Sequence, residues 1–145
     1  MAMPEELKDR RSTEHDEVRF YMTQGITSVS NKATATEAAQ TMFDTSQGAV
    51  LIEKDEKYIG IVTEGDVSQR VIAQIKKPIE VRVEAIMSQP IICVESNKLM
   101  AATFLIMEEH GIRHIAVSEN NKIIGMLSIR DFSTYYVRKF SKRTK

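Results

Sequence analysis

Gly125-Met126-Leu127-Ser128-Ile129-Arg130-Asp131 reads as a strand that turns directly into a helix. Ile123, Ile124, Met126 and Leu127 form an apolar β-rich run. Ser128 then offers a hydroxyl where the first N–H groups of a helix lack intrahelical partners. Asp131 falls within the first turn. A glycine admits close approach of a ligand to the backbone, and a helix N-terminus favours an anion. A carboxylate accepts from a sugar diol. Together these parts suit a phosphorylated nucleoside.

The same arrangement occurs earlier as Gly60-Ile61-Val62-Thr63-Glu64-Gly65-Asp66, with identical spacing of glycine, hydroxyl and aspartate. One Gly-x-x-Ser/Thr-x-x-Asp is weak; two, each ending an apolar run, are much stronger. The doubling extends along the chain. Adding 65 maps Met22 onto Met87, Ile26 onto Ile91, Val29 onto Val94, Met42 onto Met107, Gly60 onto Gly125 and Asp66 onto Asp131, with no gap. Self-similarity at one fixed period with two copies predicts a tandem pair.

Each copy has one grammar. A short strand, Ile26 to Ser28 or Ile91 to Val94, precedes a helix. In copy one, Thr34 and Glu37 have capping-box spacing. Ala35, Ala38, Ala39, Met42 and Phe43 then mark one helical face. In copy two, Met100, Phe104 and Met107 continue the stripe, Leu105 and Ile106 widen it, and Gly111 closes the helix. A hairpin follows. Ala49 to Ile52 pairs with Tyr58 to Val62 across Lys54-Asp55-Glu56-Lys57. His114 to Val117 pairs with Ile123 to Leu127 across Glu119-Asn120-Asn121. A second helix runs from about Asp66 to Ile75 and from about Arg130 to Phe140. Each unit is β-α-β-β-α, an α+β class. A unit of about 60 residues buries little surface alone, so two related by pseudo-two-fold symmetry are expected to pack sheet to sheet. The expected divisions are a helical arm over 1–17, repeats over 18–77 and 78–140, and a basic tail over 141–145.

Composition bounds the rest. Lys+Arg and Asp+Glu are 20 each among 145 residues, so no global basic field asks for nucleic acid. Cys93 is the single cysteine, which excludes an internal disulfide framework; its apolar run Ile91-Ile92-Cys93-Val94 predicts a small buried core residue. No apolar stretch approaches the roughly 20 residues of a membrane span, and no signal-like h-region opens the chain. A cytoplasmic location is the expectation. No Ser-His-Asp order with supporting glycines, HExxH, CxxC or P-loop lysine is present, and the three histidines lack metal spacing. Neither a catalytic residue nor a metal site is expected. His110, before Gly111, is expected to be structural, and His15 exposed.

The doubled motif, the opening segments Tyr21-Met22-Thr23 and Ile86-Met87-Ser88, and Gly111-Ile112-Arg113-His114-Ile115-Ala116-Val117 resemble a tandem pair of cystathionine-β-synthase (CBS) domains, the Bateman module, over about residues 18–140. The resemblance implies a regulatory, non-catalytic module. The ligand it implies is AMP, ADP or ATP, expected in a cleft between the repeats. The Asp would take the ribose hydroxyls, and basic residues at the start of the second strand would reach phosphate. The implied preferred site joins Ser128, Arg130, Asp131, Arg113 and His114 to an adenine wall of Ile26, Thr27, Gln47, Gly48 and Ala49. The other site joins Thr63 and Asp66 to Ile91 and Ile92. It lacks the arginines, having Gly65 at the Arg130 position and Gly48 and Ala49 at the Arg113-His114 positions, and Glu64 adds negative charge. It is expected to be weak or empty. Without a ligand role, Ser128 and Thr63 are plain helix caps and the aspartates favour the helix dipole.

Such modules also imply a homodimer through the helices after Asp66 and Asp131, with Val67, Val71, Ile72, Phe132, Tyr135 and Tyr136 as candidate contacts, and an effector protein outside the chain. The alternative is a nucleic-acid or protein docking module. It would use the basic tail Arg138 to Lys145, its cleft empty or holding S-adenosylmethionine.

Overall fold

The computed structural model describes residues 15–141. The described residues divide into two compact units, one of residues 25–92 and one of residues 93–141 together with residues 15–24. The division does not follow the expected repeat boundary at residues 77 and 78. The opening segment of each repeat is built into the sheet of the other repeat.

The unit of residues 25–92 holds a three-stranded sheet. β2 (Ser28–Ser30) lies parallel to β3 (Ala49–Lys54), which lies antiparallel to β4 (Lys57–Thr63). Helix α1 (Ala35–Thr45) joins β2 to β3. Its start is capped as its spacing predicts: the Thr34 hydroxyl accepts from the Glu37 N–H at 3.2 Å. It buries Ala35, Ala38 and Met42 with Val50, Ile52, Val62 and Val71. Phe43, expected on the buried face, is 83% exposed. It lies one position past Met42, and the buried stripe is narrower than the apolar one. The hairpin turn puts Asp55 and Glu56 at φ 50° and 63°, the type I′ geometry that suits the twist of a two-residue hairpin. α2 (Glu64–Val67) starts two residues before the expected Asp66 and widens into a π-helical turn over Ser68–Ile72.

The second unit repeats this plan in a four-stranded sheet of order β1-β7-β6-β5. β5 (Cys93–Glu95) is parallel to β6 (His114–Glu119), which is antiparallel to β7 (Lys122–Ser128). α3 (Met100–His110) ends at Gly111 in the left-handed conformation, φ 62°, as expected. α3 buries Met100, Thr103 and Met107. Phe104 and Leu105 are 37% and 66% exposed, against the expectation of a wide apolar face. Phe104 instead meets Phe132 of α4 (Ile129–Phe140) edge to face at 5.3 Å. Both first strands begin two residues later than expected, at Ser28 and Cys93. Cys93 is exposed rather than buried, because β5 is an edge strand and only its middle residue, Val94, points into the core. Burial by its surroundings and then the Glu95 carboxylate raise its thiol pKa.

The lead-ins show why the units are cut as they are. Val83 N–H donates to Ala33 C=O, Ala35 N–H to Val81 C=O, and Ser88 pairs with Ile61. The same three contacts recur 65 positions on. Val18 N–H donates to Lys98 C=O, Met100 N–H to Asp16 C=O, and β1 (Thr23–Gln24) pairs with β7 through Thr23 and Met126. Residues 81–88 thus complete the sheet of the first repeat, and residues 16–24 complete that of the second. Of the expected helical arm over 1–17, the described residues 15–17 are not helical: Glu17 bridges Leu99, and a 3-10 turn, Val18–Phe20, follows. Residues 1–14 and the end of the basic tail, 142–145, lie outside the described residues.

Candidate functional site

The two motifs are superposable in their contacts, and each of their three defining residues has a local partner. The space that a Cβ would fill at each glycine is taken by the protein itself. A Cβ at Gly125 would lie 2.5 Å from Thr23 O and 2.9 Å from Met22 Sδ. A Cβ at Gly60 would lie 2.5 Å from Met87 Sδ and 3.0 Å from Ser88 O. The glycines admit the lead-in segments, whose Met22 and Met87 are themselves repeat-related. Sequence shows that a glycine permits close approach, but not of what.

The hydroxyl and carboxylate close the helix start. The Thr63 N–H and hydroxyl donate to Asp66 Oδ2 at 2.9 and 3.1 Å, and Asp66 N–H donates to the Thr63 hydroxyl at 3.2 Å. This is a reciprocal capping box. The Ser128 N–H and hydroxyl donate to Asp131 Oδ2 at 2.7 and 3.3 Å. The helix-cap function is therefore present in both copies. It uses one oxygen of each carboxylate and leaves Oδ1 for other partners.

The motifs differ in the residues that flank the helix start. In the second unit, His114 is the cross-strand partner of Ser128, and Ile129 N–H donates to Arg113 C=O at 2.9 Å. Arg113 and His114 therefore flank the start of α4, with Arg130 exposed on its first turn. In the first repeat the corresponding contacts are made by Ala49, the partner of Thr63, and by Gly48 C=O, which accepts from Glu64 N–H at 3.0 Å. Gly65 stands at the Arg130 position, where a Cβ has room, 3.5 Å from Thr63 Oγ1. The basic character read from the sequence thus occurs at structurally equivalent points, in the second copy only.

The expected site residues divide between the units. Ser128, Arg130, Asp131, Arg113 and His114 belong to the second. Ile26, Thr27, Gln47, Gly48 and Ala49 belong to the first, as do Thr63, Asp66, Ile91 and Ile92. Within that unit Ala49 is buried, and Ile26, Thr27, Gln47 and Gly48 are half-buried. Thr27 C=O is engaged by Leu51 N–H at 2.9 Å.

Three polar residues escaped the sequence reading. Asp16 accepts from Tyr135 Oη at 3.0 Å and pairs with Lys139 Nζ at 2.7 Å. Burial and the Asp16 carboxylate raise the Tyr135 pKa, with Lys139 opposing. Lys139 keeps its proton above the usual range: burial works against this, and the contacts to Asp16 and Tyr135 outweigh it. Arg70, four positions after Asp66, faces Asp66 Oδ1 at 3.6 Å and donates to Ile86 C=O at 3.1 Å. The available signal was the repeat itself, since 70 maps onto 135. His110 is structural as expected, its Nδ1 2.8 Å from Ile106 O, and His15 is exposed as expected.

The expected dimer contacts sort by exposure. Val71 is fully buried, Phe132 is engaged by Phe104 and Tyr135 by Asp16; Ile72 and Tyr136 are 56% and 64% exposed. Among the described residues no helix is long and apolar enough to cross a membrane, and no group of three or more His, Cys, Asp and Glu side chains is gathered as for a metal.

The sequence model of the CBS domain matches residues 17–73 and 83–138. An uncharacterized protein of Methanopyrus kandleri is 42% identical over 101 residues, which span 68% of this chain and 51% of that protein. Protein YlbB of Bacillus subtilis is 34% identical over 99 residues, 67% of this chain and 66% of its own. The chain thus spans between half and two thirds of these relatives. Among solved structures, a CBS-domain protein from Burkholderia ambifaria superposes with a TM-score of 0.76 at 30% identity, covering 79% of this chain and 85% of that one. An uncharacterized conserved protein from Pyrococcus horikoshii gives 0.75 at 26% identity, covering 89% and 93%. The doubled strand-to-helix motif and these matches agree, and the chain belongs to the CBS domain family, of which it carries two copies.

Proposed function

We propose that the chain is an adenine-nucleotide sensor that binds AMP, ADP or ATP at the start of α4. CBS domains are in general regulatory, non-catalytic ligand-binding modules, and the finer reading rests on one observation. In the second motif alone, basic residues (Arg113, His114 and Arg130) stand at backbone positions flanking a helix start whose aspartate has one oxygen without a partner among the described residues. Among the described residues Asp131 Oδ1 has no protein partner, so it can accept from a ribose diol. Arginine gives several fixed donors for phosphate. Homodimerisation through exposed Ile72 and Tyr136, and signalling to an effector protein, complete the proposal. Of the basic stretch Arg138 to Lys145, Lys139 is paired with Asp16.

The phosphate assignment is tested by comparing adenosine with its phosphates. Arg113→Gln is expected to weaken AMP, ADP and ATP about tenfold or more, the scale of one charge-assisted hydrogen bond, and to change adenosine affinity less than twofold. Equal loss for adenosine and AMP would remove Arg113 from the phosphate contact.

A further inference from the structure

The two motif carboxylates are not equally available, and the difference comes from one side chain that lies outside both motifs. Asp66 is largely buried, with 14% of its side chain exposed. Its Oδ2 is taken by Thr63 twice over, and its Oδ1 faces Arg70. The arginine is held at a second point, since its Nη1 donates to Ile86 C=O in the lead-in that completes the same sheet. A side chain tethered at both ends does not swing clear without losing both contacts. At the equivalent position of the second copy stands Tyr135, and its hydroxyl turns to Asp16 instead of the motif aspartate. Among the described residues Asp131 Oδ1 therefore has no partner, whereas Asp66 Oδ1 faces a cation of its own chain.

We infer that Arg70 sets the stoichiometry of the module: it occupies the carboxylate of the first motif, so the protein takes one nucleoside ligand per chain, at Asp131. This rests on the reading above and adds a residue and a number to it. A diol donates hydrogen bonds to a carboxylate and competes for the lone pairs that the guanidinium faces. A phosphorylated ligand would gain nothing at the first copy to offset that competition, since Gly48, Ala49 and Gly65 replace the basic residues.

Adenosine is the suitable probe, because it presents the diol without phosphate. Binding stoichiometry is measured by equilibrium dialysis on wild type, Arg70→Met, Arg70→Lys and Asp66→Asn, each checked for a cooperative thermal transition. Arg70→Met is expected to bind one more adenosine per chain than wild type. Arg70→Lys keeps the charge beside Asp66 and is expected to match wild type, which separates neutralisation from any general loosening. Asp66→Asn is expected to leave wild-type binding within twofold. An unchanged count in Arg70→Met, or two adenosines on wild type, overturns the inference. The comparison is a difference between variants. If wild type binds no adenosine, titration with AMP, ADP and ATP decides the sensor reading, while a gain in Arg70→Met still supports the role of Arg70 and no gain still overturns it.

Discussion

A glycine in a nucleotide-like motif invites a ligand explanation, yet Gly60 and Gly125 answer to the protein itself. The atom that a Cβ would meet decides the cost of changing each. At Gly125 it is the main-chain oxygen of Thr23, which moves only if β1 moves; at Gly60 it is the flexible Met87 thioether. Gly125→Ala is therefore expected to destabilise by about 2–3 kcal/mol and Gly60→Ala by about 1 kcal/mol, within the range for overpacking. Urea denaturation of both checks the order. Met87→Ala in the Gly60→Ala background is expected to recover part of the loss, because it removes the clashing sulfur. Equal costs would show that the main-chain contact is not what makes Gly125 special. The motif spacing was legible in the sequence, as was the asymmetry of Arg113, His114 and Arg130. The lead-in that fills the space over each glycine was not. It arrives from the far side of a repeat boundary, and no local pattern encodes a pairing of that range.

The elements end in related ways, and there the sequence was more informative. α1 and α3 close with the same pair of bonds. Gln47 N–H donates to Met42 C=O and Ser46 N–H to Phe43 C=O; Ile112 N–H donates to Met107 C=O and Gly111 N–H to Glu108 C=O. This is the Schellman arrangement, which needs a left-handed residue just past the helix. Gly111 supplies it without strain. Its counterpart Ser46 holds φ 54°. After the π-helical turn Ile75 does so at φ 58°, with Lys76 N–H donating to Val71 C=O and Ile75 N–H to Ile72 C=O. A β-branched residue in that region is an outlier costing about 1–2 kcal/mol, and Ile75 is 95% exposed, so packing does not compensate. Ile75→Gly is expected to raise stability by about 1 kcal/mol and Ser46→Gly by less, read as shifts of the thermal midpoint. A destabilised Ile75→Gly would mean that the isoleucine makes contacts in solution that the single chain lacks. The extents of α1 and α4, the close of α3 and the hairpins were legible because capping spacing and turn residues are local, whereas the π-helical turn after α2 was not. The exposure of Phe43, Phe104 and Leu105 was not, since periodicity marks an apolar face without saying how much of it finds a neighbour. Cys93 shows the same limit: an apolar run looks alike in a central and an edge strand.

At the scale of the whole molecule, one 65-residue offset relates the strands, the helices, the capping boxes and the lead-in bonds of the two copies, while the charges around the motifs do not obey it. The fold is carried by what repeats and the proposed function by what does not. Arg113, His114 and Arg130 in one copy, and Arg70 in the other, make two similar helix starts chemically different. The claim that ties this together is that Asp131 holds the ligand. Its most direct test is calorimetric titration of AMP, ADP and ATP into wild type and Asp131→Asn. Asparagine keeps an acceptor for the Ser128 N–H, so the helix start survives and the charge alone is removed. The account predicts that at least one of the three binds wild type near one per chain and binds Asp131→Asn about tenfold or more weakly. Undiminished binding in Asp131→Asn, or no binding of any of the three to folded wild type, would contradict it.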